Sequence, residues 1–519
     1  MSNVYGKWYL IGSCYQGGPR LDRKSISFSN SQQFGVKFSK KNIMNFQIIF
    51  VILLSNWVFG DSNTPSNVTA PTIQGNMCEV CSCKDEKIDC ASKGLEGHFD
   101  DNHWPKGSFV EVSFANNSIV HLKAFPEIVV NVLILRHNRI TTIDDSAFHN
   151  LRNLTLLDLS HNQLTTPNLG PHVFQGRFSP VDYLPLAKLI DLNLDDNALH
   201  SLHQDLFEHV GNLKILTLVG NPFHVIDTST VLAISSLAEL EELDLSYCDL
   251  ADLPEHIFHT PKYLKRVNLT GNRFTSPPLA LEDGKAIEIV SLSENPMKFL
   301  NDNAFPIMLK LKVLNLCNMP NLTRISAYAM AGLTSLETLR VEGCPKLEDF
   351  DENALVAPGE VTVEWPPLKN LYLGDNALHY LPAGLVGRWD KLAVLDIRNN
   401  RWSCDCNNQY LVESLLPGLG KTLMGDAVNA LTCSAPPEHK GKNLTSLSKR
   451  HLRCLDLNNA RPEKDATVLV GVLIGVLLAV PLTLLIFVLW RRGFFFLGPQ
   501  GPGTFSRAFY KRADRGDDF

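Results

Sequence analysis

A chain of 519 residues exceeds one ordinary domain, and 45% hydrophobic against 20% charged residues argues against bulk disorder. The formal net charge of −6 supplies no basic field, so nucleic acid is not an expected partner. The 16 histidines are scattered, and no phosphate loop, nucleophile elbow or metal-binding helix motif appears, so no catalytic, cofactor or metal site is expected.

Residues 1–43 hold seven Lys/Arg against the single acid Asp22 and show no periodicity. They read as a basic upstream extension, disordered or not native, with Met44 a candidate for the true start. An apolar run at 48–54 follows, then Trp57-Val58-Phe59-Gly60, with Lys37, Lys40 and Lys41 upstream. That order reads 44–60 as a secretory signal cut after Gly60. The apolar run is also short for a bilayer span. Residues 61–77 form a linker.

Cys78, Cys81, Cys83 and Cys90 mark an N-terminal cysteine cap at 78–108. From 109 to 403 one phrase recurs twelve times: apolar, two variable positions, apolar, one variable, apolar, two variable, then usually Asn. The clearest copies are Leu154-Leu157-Leu159-Asn162, Leu189-Leu192-Leu194-Asn197, Leu213-Leu216-Leu218-Asn221 and Leu368-Leu371-Leu373-Asn376. Eight of the eleven steps between copies fall between 21 and 25 residues, and the others are 27, 32 and 35. This is the leucine-rich-repeat phrase at its expected period. Its centre has period two, so leucines point one way and variable residues the other. One copy cannot bury its leucines, whereas stacked copies share a core and align their strands. The Asn position turns inward, where its side chain serves backbone groups at the strand end. Cys248 and Cys344 take that position in repeats 6 and 10 and read as buried structural residues. Cys317 follows Leu316, should face the exposed side of the sheet, and is expected as an unpaired, partly covered thiol.

The predicted fold class is an α/β-type solenoid, a horseshoe with a parallel β-sheet on its concave face, disulfide caps at both ends and one transmembrane helix. On the variable strand positions, repeats 3, 4 and 6 present Asp158, Asp191, Asp195, Glu242 and Asp244. Repeat 5 between them presents Ile215, Thr217 and Val219. An acidic rim around an apolar strip suits a basic, partly apolar protein surface. Two insertions, near 165–186 with Phe174, Phe178 and Tyr183, and at 351–367 with Glu360, Glu364 and Trp365, are either binding loops or passive packing.

Cys404, Cys406, Cys433 and Cys454 mark a second cap at 404–454. Either group of four could resemble zinc spacing, but a secreted location favours disulfides, with three connectivities open per group. Terminal caps cover the open core of a repeat array, and crosslinks stabilise small caps by roughly 2–4 kcal/mol each. Six sequons, Asn67, Asn116, Asn153, Asn268, Asn321 and Asn443, read as sugar acceptors. Asn268 should point out of the strand face, so a sugar there would obstruct the concave sheet.

A juxtamembrane linker at 455–465 leads to 466–490, which is 25 residues without a charge. About 20 suffice to cross a bilayer. Arg491-Arg492 and later Arg507, Lys511, Arg512 and Arg515 belong on the cytoplasmic side of such a span. The expected topology is type I in the plasma membrane, with the repeats extracellular and 491–519 as a cytoplasmic tail. The ending Asp517-Asp518-Phe519 could place Phe519 in a PDZ-type groove.

Signal, Cys-x2-Cys-x-Cys-x6-Cys cap, repeats, the phrase Trp402-Ser403-Cys404-Asp405-Cys406 and one span together resemble type I leucine-rich-repeat membrane proteins. The architecture is similar to that of trophoblast glycoprotein-like proteins. The resemblance implies pairing of first with third and second with fourth cysteine in each cap: Cys78–Cys83, Cys81–Cys90, Cys404–Cys433 and Cys406–Cys454. It also implies a cell-surface protein that binds an extracellular protein partner, in adhesion or as a non-enzymatic receptor. The alternative is a co-receptor or inhibitor of a secreted signal such as Wnt.

Overall fold

The computed structural model describes residues 76–179, 182–358, 363–386, 391–454 and 462–492. The signal segment 44–60, Asn67, Glu360 and the tail from 493 to Phe519 lie outside the described residues. Each repeat contributes one short strand, beginning with Ser108–Ser113 and Val129–Ile134, continuing through Leu156–Asp158 and Asp191–Asn193, and ending with Val394–Asp396. All twelve are parallel and pair in chain order within one sheet. The register never slips: Asp191 lies opposite Leu156 on one side and Ile215 on the other, and Ile215 lies opposite Glu242. Each strand therefore turns the same phrase position inward, and Leu157, Leu192, Leu216 and Leu243 are fully buried.

The caps close the two ends of this core. At the N-terminal end, Ser82–Lys84 and Lys87–Asp89 form an antiparallel hairpin. Its second strand pairs in parallel with Ser108–Ser113, placing Ile88 beside Val112, so the cap extends the sheet. Disulfides join Cys78 to Cys83 and Cys81 to Cys90. Trp104 packs edge-on against Phe114 and Phe125. Phe125, Phe148 and Phe174 then stack at 5.9 Å spacing along the outer side of the first repeats. At the far end, disulfides join Cys404 to Cys433 and Cys406 to Cys454. The buried Trp402 indole donates to the Ile397 carbonyl at 3.0 Å. The fully buried Asp405 carboxylate accepts from Asn407 N, Ser403 Oγ and Tyr380 Oη, which ties this cap to repeats 11 and 12.

The irregular steps each have a structural content. The 27-residue step between repeats 5 and 6 holds the helix Thr228–Ser235, whose N-cap Asp227 accepts from Thr230 N at 2.8 Å. The longest step holds a hairpin of Arg177–Ser179 with Asp182–Leu184. Gly176 is required there, because a Cβ would stand 2.1 Å from the Leu184 carbonyl oxygen. Of the residues noted in that insertion, Phe174 is fully buried, while Tyr183 is exposed and donates to Glu208 O. In the other long step Glu364 bridges Ala357, and Trp365 packs partly buried on the core.

A ladder of buried amides runs behind the strand ends. Asn162 Nδ2 donates to the carbonyls of Leu135 and Leu159, and its Oδ1 accepts from Ile140 N. Asn197 repeats the pattern with Leu159, Leu194 and Leu164 N, and Asn221 with Leu194, Leu218 and Leu199 N. Each carbonyl is thus served by its own repeat and the next. Cys248 and Cys344 keep the donor half, with Sγ on Leu218 O and Leu316 O. Burial raises both thiols, that of Cys344 to about 12, so they remain protonated donors. Repeat 9 has Met319 at this position, and Leu292 O and Leu316 O are still served by Asn295 and Cys344.

Beyond the second cap, Pro462–Arg491 is one helix. Its segment Thr467–Arg491, 25 residues, is long and apolar enough to cross a membrane, with none of it buried.

The ladder makes a stability prediction. Asn221→Ala leaves the Leu199 N–H without its acceptor in a fully buried site, and should cost about 1–3 kcal/mol. Asn221→Cys, which keeps a donor, should cost less. Denaturant midpoints of the three proteins check this, and an alanine cost below about 0.5 kcal/mol would show that the ladder is dispensable.

Candidate functional site

Three rows of side chains cross the concave sheet, and their register follows from the strand pairing. The first runs Leu156, Asp191, Ile215, Glu242, Arg266 and Ile289. The second runs Asp158, Asn193, Thr217, Asp244, Asn268 and Ser291. The third position of repeat 4 is Asp195 and that of repeat 5 is Val219. All seven residues expected to meet a partner therefore share one face across repeats 3–6, but their chemistry divides them.

Three of the carboxylates are already bonded within the sheet. Asp158 Oδ1 accepts from Ser160 N and Oγ at 3.0 and 2.6 Å. Asp244 Oδ1 does the same with Ser246 at 2.9 and 2.6 Å. Asp195 Oδ1 accepts from Val219 N at 2.9 Å. Glu242 forms an ion pair with Arg266 of the next repeat. These acids hold turns and neighbours instead of forming an open rim. Asp191 and Ile215 stand half-buried in the first row, and Thr217 is buried beside them in the second.

Asn268, the sequon asparagine expected to project over the sheet, has a different geometry. It lies on the concave row, but it is 7% exposed. Its Nδ2 donates to Asp244 Oδ2 at 2.9 Å, and its Oδ1 accepts from Thr270 N and Oγ1. The sequon's own threonine thus helps hold the amide against the sheet, and a sugar on Nδ2 would compete with the Asp244 bond. Asn116 is exposed, while Asn153, Asn321 and Asn443 are half-buried. Cys317 also departs from expectation. It is 2% exposed and disulfide-bonded, not a free thiol, and its bond lies outside the described residues.

The two edges of the sheet carry features that the repeat phrase hides in its variable positions. At the edge where strands begin, Lys214, Glu241, Lys265, Glu288, Lys312, Glu337 and Lys369 alternate in sign over seven successive repeats. Lys214 and Lys265 both reach Glu241, at 2.8 and 2.9 Å, Lys312 reaches Glu288, and Lys369 reaches Glu337. The two lysines hold the Glu241 carboxyl below its usual range. Exposed pairs of this kind contribute about 0–1 kcal/mol each. Their sum leaves little net field, so this edge makes a poor electrostatic landing site.

At the opposite edge, the residue before the inward Asn position has positive φ in all twelve repeats, from 49° at Asp196 to 72° at Gly220. That conformation turns its side chain out along the rim. His137 and His161 stack there with ring centroids 4.1 Å apart, and His161 Nδ1 stands 3.2 Å from Asp196 Oδ2. Burial, then the neighbouring His161, lowers the His137 pKa. Tyr247 lies across Gly271, where a Cβ would come within 2.2 Å of its ring, and reaches Glu294 Oε2 at 3.1 Å. Gly271 is therefore needed for both its φ of 69° and the space it leaves.

A leucine rich repeat family profile matches residues 129–177 and 285–345. The chain is a capped leucine-rich-repeat solenoid. It is 28% identical over 247 residues to CD180 antigen of Mus musculus, across 47% of this chain and 34% of that one. It is 27% identical over 323 residues to transforming growth factor beta activator LRRC32 of Pongo abelii, across 52% and 46%. Trophoblast glycoprotein of Macaca fascicularis is 25% identical over 279 residues, across 52% of this chain and 54% of that protein. The solenoid thus spans about half or less of the length of these relatives. Among solved structures, a chain of a Toll–Spatzle complex aligns over 68% of this chain and 56% of its own length, at 18% identity and a TM-score of 0.43.

Within the solenoid, Asp244 provides a pH signature. Burial is the main cause that raises its carboxyl to about 6. An unfolded Asp titrates near 3.9, so the folded state binds the extra proton between those values. Stability from this group is full below about pH 4 and is lost as pH rises through about 6, by roughly 2–3 kcal/mol. Measured against Asp244→Asn, the native protein should lose relative stability across that window. A pH-independent difference would contradict the assignment.

Proposed function

We propose that the solenoid is the extracellular part of a single-pass, type I plasma-membrane protein. It binds an extracellular protein partner in adhesion or as a receptor without enzymatic activity of its own. The observation that carries this reading is the joining of a disulfide-capped binding scaffold to one helix whose apolar segment Thr467–Arg491 ends in Arg491-Arg492. Disulfide caps suit an oxidising compartment, and the arginine pair suits the cytoplasmic side of a span.

The contact zone in this reading is the concave face of repeats 3–6 and the rim beside it. Asp191, Ile215 and Thr217 would meet the partner from the sheet, and His161 and Tyr247 from the rim. Asp158, Asp195 and Asp244 would support that surface. The partner would be a partly apolar protein surface that places a basic group opposite Asp191. Sugars at Asn116, Asn153, Asn321 and Asn443, and a cytoplasmic adaptor at Phe519, belong to the same proposal.

A co-receptor or inhibitor of a secreted signal such as Wnt is the second reading. The similarity to a protein named as a transforming growth factor beta activator favours it, because that name attaches this repeat type to a secreted signal.

One binding experiment addresses both readings. Residues 61–465, multimerised, are screened against cells each displaying one secreted or surface protein. A saturable binder is expected, with affinity reduced at least tenfold by Asp191→Lys plus Ile215→Glu. No binder, or one indifferent to both substitutions, would overturn the proposed face. If deletion of 493–519 from the membrane-anchored protein leaves activity intact, adhesion or sequestration is supported over inward signalling.

A further inference from the structure

The outer side of repeats 6 and 7 brings together side chains that the sequence separates. His256 and His259 belong to the turn after the repeat 6 strand, and Asp283 to the corresponding turn of repeat 7. One ligand atom from each of the three lies within 4.8 Å of the other two. We propose that these residues form a divalent transition-metal site, taking zinc, that clips two successive coils of the solenoid together.

The turn is built to hold the histidines outward. Ile257 and Phe258 between them are buried at 0% and 1% exposure and anchor the segment in the core. His259 N donates to His256 O at 3.0 Å, which closes the turn, and His256 has a φ of 67°. Both rings are exposed, so neither is used in packing. Asp283 ends the short 3-10 turn Leu279–Asp283, fixed beneath by the buried Ala280 and Leu281. Gly284 follows, where a Cβ would strike Ile287, so the backbone at Asp283 has little freedom.

The ring geometry suits a shared ion. With zinc–nitrogen bonds of about 2.0–2.1 Å, each imidazole centroid stands about 3.2 Å from the metal, and two at a tetrahedral angle lie about 5.3 Å apart. The His256 and His259 centroids are 6.0 Å apart with their planes at 78°, which small side-chain rotations would close. His256 Nδ1 is already 2.6 Å from Asp283 Oδ2, so the carboxylate is poised either to join the ion or to orient the imidazole whose Nε2 binds it. Two imidazoles, one carboxylate and water form a set suited to zinc.

Other histidine–carboxylate pairs in the chain set this one apart. His121 meets Asp144, His161 meets Asp196 and His203 meets Asp205. His224 meets Asp249, but Arg273 Nε also binds that carboxylate at 2.8 Å and would repel a cation. Among the described residues, the three-ligand group occurs at His256, His259 and Asp283.

The test titrates zinc ion alone into the full-length chain in detergent micelles after chelator treatment, using calorimetry. Cobalt(II) substitution is followed by visible absorption in parallel. Expected is one equivalent lost in His256→Ala/His259→Ala, with affinity down tenfold to a hundredfold in Asp283→Asn and unchanged in His224→Ala. The cobalt form should show the strong visible bands of a tetrahedral site, absent in the double variant. Both histidines are exposed and Asp283 is half-buried, and an unchanged circular dichroism spectrum reports that the variants fold. Failure of the native chain to bind zinc, or equal binding by the double variant, would overturn the site.

Discussion

The buried amide ladder is the interaction on which the rest of this molecule depends. A repeat of about 24 residues makes its strand only three residues long in most copies, and the chain must then turn sharply away. That turn leaves backbone carbonyls and N–H groups facing a core that water does not reach, and leaving them unpaired would cost about 1–3 kcal/mol each. One inward amide per repeat meets the need, because it offers donors and an acceptor together. Each amide serves its own coil and the preceding one, so the ladder also fixes the register between coils. Sharing explains why Cys248, Met319 and Cys344 are tolerated: neighbours still serve the same carbonyls.

Fixing the strand ends in this way determines what each surface can do. The second row of the concave sheet becomes a chain of short polar side chains bonded to one another, from Asp244 through Asn268 and Thr270 to Ser291. Such groups have little bonding capacity left for a partner. The strand-start edge balances its charges pair by pair. The rim at the strand ends differs, since the left-handed residue before each amide turns outward. His161, Asp196 and Tyr247 stand exposed along it. The position that makes the turn possible is therefore also the one that decorates the rim.

Much of this was legible in the chain itself. Period-two leucines with an Asn at a fixed offset state the parallel sheet, its register and the inward amide together, and the structure follows them strand by strand. The 25 uncharged residues before Arg491 likewise state an apolar helix. The acids of repeats 3, 4 and 6 share the concave face, and Asp158, Asp195, Glu242 and Asp244 are engaged within the sheet. Asp158 and Asp244 are each followed two residues later by a serine, and that pairing folds each carboxylate back onto its own turn. The Asn268-Leu269-Thr270 sequon behaves in the same way, with Thr270 drawing the amide onto the sheet. The Asp-x-Ser and Asn-x-Thr spacing was visible and could have given that warning.

The sequence by itself determined the repeat, its direction of burial, the caps and the apolar helix, because all of these follow from periodicity and short-range spacing along one chain. Only the tertiary structure decided which side chains meet across coils. Stacking places residues some 24 positions apart side by side, so the contacts of Tyr247 with Gly271, His137 with His161 and His256 with Asp283 depend on how each coil sits upon the next. Variable positions carry no periodic signal of their own, and their chemistry is settled by the neighbour that packing supplies.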